Sequence, residues 1–396
     1  MARIAALACL LLALLAPAAS AASRSATARA LSAQMRWAGA GASALAVDLD
    51  SGRTIYSLRA NTERVPASVE KLYTSATALR RVGAAGRLTT TVLAAAAPAA
   101  GVVAGDLYLR GGGDPTFDAL DSNRLAQQLV DAGIMAVTGR VIGDESVFDA
   151  RRGVPSSDFR LTSEVGPLSA LTFNRGRTGR RSPYWQNRPA RFAAAAFAKQ
   201  LRHLGVDVAG RARPGVTPAG AVPVADWRSA PVNDLLRLMN QPSDNFMAET
   251  LVKVLGAQFG TGGSTAAGTQ VVRDEMAQLG LSPQVVDGSG LSRGDRTSAR
   301  DVVGLLTALD GDASFTGSLA VAGRNGTLST RMRGTVAQDR CRAKTGTLRD
   351  VSALAGYCTT TRGANVAFAF LMNYVSPWNA RVLQDRMAIA LARYRR

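Results

Sequence analysis

Four lysines, Lys71, Lys199, Lys253 and Lys344, stand among 43 arginines in this 396-residue chain. Where Arg is used so heavily, a retained Lys hints at a role that a guanidinium cannot fill. Accepting a proton is one such role, because Arg stays charged above about pH 12, whereas burial or a nearby cation turns a Lys amine into a base. Lys71 closes Ser68-Val69-Glu70-Lys71, one helical turn after Ser68, so hydroxyl and amine share a face at a helix start. A serine nucleophile needs an adjacent base. The single histidine, His203, ends an Ala-rich helical run and reads as a capping or surface residue, which leaves Lys71 as the candidate. The helix N-terminus would also offer backbone N–H groups to a developing oxyanion. Two more elements follow: Ser243-Asp244-Asn245 after Pro242, and Lys344-Thr345-Gly346-Thr347 near the C-terminus. Each has a plain structural explanation as well: a surface pair on a first turn, an N-cap, a Lys at a strand edge. Gly346 is unfavourable inside a strand unless another backbone must approach closely.

These residues need a scaffold, and the composition supplies one. Apolar residues make up 47% and charged residues 19%, enough for a buried core, and the length suits two or three domains. The pattern reads as a strand over 43–50, a turn and a strand over 53–59, then a helix after Pro66 with Leu72, Ala76 and Leu79 on one face. Short β-like runs follow from about residue 88, then an Arg-rich stretch over 175–191 and an Ala-rich helix over 192–204. A long helical pattern runs from Pro231 through Leu255. Strands at 342–347, 351–358 and 365–373 and a basic amphipathic helix at 379–395 end the chain. Strands at both ends with helices between them describe an α/β domain. Its halves, 22–87 and 223–396, are separated by an inserted, mostly β domain at 88–222.

Several classes are excluded. One His and three Cys are too few for a His/Cys zinc site, and Gly111-Gly112-Gly113 lacks the Lys-Ser/Thr of a phosphate loop. No metal or cofactor is expected. Arg3, the apolar run Ile4 to Leu15 and Ala19-Ser20-Ala21 have the layout of a secretory signal peptide, residues 1–21, cleaved after Ala21. The chain is therefore expected to be exported, to the periplasm or another extracytoplasmic compartment of the cell envelope. Its net charge of +18 then points to a loose association with anionic wall polymers or lipid headgroups, not with nucleic acid.

Ser-x-x-Lys, Ser-Asp-Asn and Lys-Thr-Gly in that order form the motif set of class A β-lactamases and penicillin-binding proteins. Further segments narrow the resemblance: Tyr108 to Thr116 (YLRGGGDPT), Leu171-Thr172-Phe173-Asn174, Asp287 to Arg293 (DGSGLSR) and Ala322 to Leu328 (AGRNGTL). With these, the chain resembles the class C low-molecular-mass penicillin-binding proteins of the penicillin-binding protein 4 type, which are D-Ala-D-Ala carboxypeptidases and endopeptidases. The resemblance implies a β-lactamase/transpeptidase-like fold, with an antiparallel sheet and helices on both faces. It also implies peptidoglycan stem peptides as substrate and β-lactams as covalent inhibitors. Ser68 would be the nucleophile and Lys71 its base, with Ser243, Asn245 and Lys344 completing the polar network. Lys344 and Thr345 would face the substrate carboxylate, and the N–H groups of Ser68 and Thr347 would form the oxyanion hole beside Gly346. Family members also grip the far end of the stem-peptide side chain with an Arg, matched by Arg293, and an acid. Asp158 is taken for the acid, although it also reads as a loop Asp among arginines. The fullest relatives carry two inserted domains, and the spacing from Ser68 to Ser243 has room for one.

A two-residue turn at Arg349-Asp350 would pair Leu348 with Val351 and, in the same register, Cys341 with Cys358. Directly opposed Cα atoms lie within disulfide reach, so a disulfide is expected on the strand face turned away from Lys344. A β-lactamase of the same fold, or a catalytically idle wall-binding scaffold, are the competing functions.

Overall fold

A computed structural model describes residues 22–179 and 181–396. The expected signal peptide, residues 1–21, and its cleavage site lie outside the described residues. The main sheet has six antiparallel strands in the order Ala320–Val321, Cys341–Leu348, Val351–Thr359, Asn365–Asn373, Ala42–Asp48, Arg53–Leu58. First and last segments of the chain thus meet at its centre, where Ala42–Asp48 pairs with Asn365–Asn373. One face is covered by helices Arg24–Ala38 and Pro377–Ala392, which share a core with Cys341, Cys358 and Phe370. The other packs against helices that include Lys71–Arg81, Asn245–Phe259 and Ala299–Ala308, around Leu72, Leu251 and Leu305. Both faces of the sheet are therefore buried, which the run Val351 to Cys358, buried throughout, reflects.

The hairpin adopts the anticipated register, Leu348 opposite Val351 and Cys341 opposite Cys358. The two cysteines are disulfide-bonded with Cα atoms 4.1 Å apart. Two other readings change. Residues 24–38, to which the sequence pattern assigns no element, form a helix capped by Ser23. The pattern from Pro231 to Leu255 is two helices, Val232–Asn240 and Asn245–Phe259. Pro242 ends the first, since it has no N–H and disfavours helical geometry in the residue before it, and the break carries Ser243.

The segment expected as an insertion builds a five-stranded mixed sheet in the order Val222–Arg228, Thr89–Ala94, Leu107–Gly111, Val141–Asp144, Arg213–Pro214. Helices Ala119–Asp131 and Pro189–His203 bury Leu125 and Phe197 in its separate core, so it is as helical as it is β. The returning strand runs on to Arg228, past the expected end at 222, because it pairs with Thr89–Ala94. Part of the segment belongs elsewhere. Phe148 and Ala170 join the core of Leu72 and Leu251, and Val154, Val165 and Leu168 pack on Phe246. This stretch brings Glu164 to the cleft described next.

Candidate active site

Ser68 sits on a short 3₁₀ turn, Ala67–Glu70, that leads directly into the helix Lys71–Arg81. Ala67 is held at φ 47°, a left-handed conformation that costs a non-glycine residue about 1–3 kcal/mol and persists only where its surroundings enforce it. Two glycines do so. A Cβ on Gly290, itself at φ +80°, would lie 2.0 Å from the Ala67 carbonyl oxygen, and one on Gly346 would lie 2.5 Å from that of Pro66. The close backbone approach that would justify a glycine inside the Lys344 strand is therefore that of the turn carrying Ser68.

Lys71 is fully buried. Its Nζ is 2.9 Å from Ser68 Oγ and donates to Asn245 Oδ1 and to the Ser289 carbonyl, both at 2.7 Å. The latter two are carbonyl oxygens, which only accept. In the neutral form of Lys71 they would occupy both N–H bonds and leave the lone pair for the Ser68 hydroxyl. Burial lowers the Lys71 pKa to about 8, against the opposing pull of Asp287, Glu249, Asp244 and Glu70. The Ser289 carbonyl is presented by a loop wound around Asp287, whose carboxylate accepts the N–H groups of Ser289, Gly290 and Ser292 at 2.6–3.0 Å. Burial pushes Glu70 well above the carboxylate range and Glu249 up to about 8, reinforced by Asp287 in both cases.

Ser243 projects from the break between the two helices at φ 65°. Asp244 accepts the Met247 N–H at 2.9 Å to start the next helix and pairs with Arg175. Lys344 Nζ donates to Ser243 Oγ at 2.7 Å and to the Thr345 carbonyl at 2.9 Å. It is buried, and burial together with the Lys71 charge holds its pKa well below the ordinary value. A cleft of about 580 Å³ opens over Ser68, Ser243, Asn245, Thr345 and Thr347. Lys344 does not line it; the ammonium sits behind Ser243.

The structure thus joins Ser68, Lys71 and Asn245 in one bonded cluster and Ser243 with Lys344 in another, both at this cleft. Gly346 lies beneath it. Asp158 is not brought there: it follows a 3₁₀ turn at Pro155–Ser157, its side chain is 85% exposed, and its ionic neighbour is Arg160 at 3.8 Å. Arg293, 53% exposed, is paired with Asp350 in the hairpin turn and does not line the cleft either. The acid that sequence reasoning passed over is Glu164, which lines the cleft and accepts from Asn245 Nδ2 at 3.2 Å. It lies six positions after Asp158, and no motif in the sequence marks it.

The model of the D-Ala-D-Ala carboxypeptidase 3 (S13) family matches residues 26–182 and 184–394. The D-alanyl-D-alanine carboxypeptidase of Actinomadura sp. (strain R39) is 31% identical, over 90% of this chain and 82% of its own. Carboxypeptidase DacB of Mycolicibacterium smegmatis is 30% identical, over 87% and 78%. Among solved structures, penicillin-binding protein 4 of Haemophilus influenzae superposes with a TM-score of 0.77 at 22% identity, over 90% of this chain and 97% of that one. The same protein complexed with a β-lactam gives 0.76 at 20% identity, over 92% and 99%. From residue 26 to residue 394, the chain belongs to the D-Ala-D-Ala carboxypeptidase 3 (S13) family.

Proposed function

We propose that the protein is a serine D,D-peptidase that cleaves the D-Ala-D-Ala bond of peptidoglycan stem peptides through an acyl-enzyme on Ser68. One observation carries this reading: a buried amine, with two of its three partners obligate acceptors, faces the Ser68 hydroxyl at 2.9 Å. Ser68 Oγ bonds to the carbonyl carbon of the penultimate D-alanine while its proton passes to Lys71 Nζ. The N–H groups of Ser68 and Thr347 hold the oxyanion. Collapse breaks the C–N bond, and the departing amine takes the proton that Lys71 accepted, relayed through Ser243, which Lys344 orients. Water then attacks the ester, with Lys71 again as base, and frees Ser68.

A β-lactam acylates the same serine, and its ring leaves no amine to diffuse away, so the adduct persists. Incubation with a labelled penicillin and intact-mass measurement tests the assignment. A lasting adduct of one penicillin per chain, absent from Ser68→Ala, is expected. No adduct on folded protein means a scaffold, and an adduct that turns over in seconds means a β-lactamase. D-Ala cross-links present the same D-Ala carbonyl to Ser68 with a different leaving amine, and are included as substrates. We further take residues 88–228 as the insertion and the mature chain to start after Ala21, outside the cytoplasm. The arginine surplus provides a loose electrostatic hold on anionic wall or membrane surfaces.

A further inference from the structure

We propose that Arg381 is the cation that recognises the carboxylate on the leaving side of the scissile bond, a specificity role carried by the C-terminal helix. The inference rests on the D,D-peptidase reading above. Lys344 was the expected partner for that anion, yet its Nζ is buried, bonded to Ser243 Oγ and the Thr345 carbonyl, and absent from the cleft wall. From the Lys344 strand the residues that line the cleft are Thr345, whose hydroxyl donates to Thr327 Oγ1 at 2.8 Å, and Thr347. Arg381 reaches the same place from the helix Pro377–Ala392. Its guanidinium donates to Thr347 Oγ1 at 3.3 Å, and the two side chains line the cleft together with Ser68.

The charges around it leave Arg381 free for an anion. Asp385, one turn further along the same helix, is held by Arg331 at 2.7 Å. Arg293 is paired with Asp350 and Arg175 with Asp244. Glu164, the other acid of the cleft, bonds to Asn245. Among the described residues Arg381 makes no ion pair, while Arg331, the other cation of the cleft wall, has one. A guanidinium presents two parallel N–H groups to a carboxylate, and the Thr347 hydroxyl adds a third donor. The leaving amino acid carries its α-carboxylate on the carbon bonded to the departing nitrogen. Thr347 is also the residue whose N–H would hold the oxyanion, so Arg381 stands on the side of the reacting carbonyl where that carboxylate falls. The same contact serves a terminal D-alanine and any larger leaving residue with a free α-carboxyl.

The test compares kcat/KM for an N-acylated peptide ending in D-Ala-D-Ala with that for its C-terminal amide. The wild type should prefer the free acid. Arg381→Met, which keeps the apolar stem, should lose about 10- to 100-fold on the acid, the scale of a lost charged hydrogen bond, and change little on the amide. Arg381→Lys should fall between. Penicillin at saturating concentration should still label Ser68 in both variants, which reports a folded site. An unchanged acid-to-amide preference in Arg381→Met, or equal losses on both peptides, overturns the role of Arg381 and leaves the peptidase reading intact. A wild type that cleaves neither peptide overturns the peptidase reading and this inference with it.

Discussion

The acylation centre and the rim of the cleft are built in different ways. At the centre, Lys71 and Lys344 are buried, their amines are bonded to groups of the protein, and the turn holding Ser68 is pressed between Gly290 and Gly346. Along the rim, Glu164 comes from the loop before Val165, whereas Trp378 and Arg381 come from the C-terminal helix, and Trp378 is 75% exposed. The centre holds a geometry in advance, so that little must be reorganised when charge develops. The rim holds exposed apolar surface and, among the described residues, a guanidinium without an ion pair, that of Arg381, both open to an arriving peptide. Chemistry and selection are therefore separable here, and substitutions should fall into two groups.

The largest effect should come from Lys71→Arg, which keeps a cation of similar reach but removes the proton acceptor. Acylation by penicillin should drop by about 10²–10⁴-fold, the contribution of a general base; a near-normal rate assigns the base elsewhere. Gly290→Ala should rank next. Its methyl group would collide with the Ala67 carbonyl, and moving a nucleophile by about 1 Å can cost on the order of 10²-fold. An unimpaired Gly290→Ala variant would mean that the turn is not held from that side. At the small end stands Asp158→Ala. With its carboxylate in solvent and its nearest cation 3.8 Å away, peptide turnover should stay within about 2-fold of wild type, in keeping with surface substitutions. A larger loss would return Asp158 to the substrate-binding surface.

The same division explains what could be read from the chain. Ser68 and Lys71 are one helical turn apart, so their meeting is local geometry. The Cys341–Cys358 pairing follows from a two-residue turn whose register propagates along the hairpin. Asn245 and Ser289 reach Lys71 only through tertiary packing, and nothing in the Asp287–Ser292 segment by itself announces that a carbonyl there would orient the base. The rim was least legible. Glu164 and Arg381 are ordinary loop and helix residues until a core formed by Val165, Leu168 and Phe246, and the docking of the C-terminal helix on the sheet, carry them to one cleft. Asp158 belongs to none of the matching motifs, and after the short turn at 155–157 its side chain stands in solvent. The break at Ser243 interrupts a continuous apolar periodicity at Pro242, a local signal, but the left-handed Ser243 bonds to Lys344, a distant contact that no local pattern contains.

The central claim is that Lys71 works as a neutral amine. Its pKa is lowered to about 8 by burial, so the fraction able to accept the Ser68 proton rises with pH and is complete above that value. The most direct measurement is the rate of Ser68 acylation by penicillin across pH 6 to 10, followed as adduct formation on folded protein. The rate should climb about tenfold per pH unit on the acid side and level off near pH 8. A rate that is flat, or that falls as pH rises through this range, would contradict a neutral Lys71 as the base.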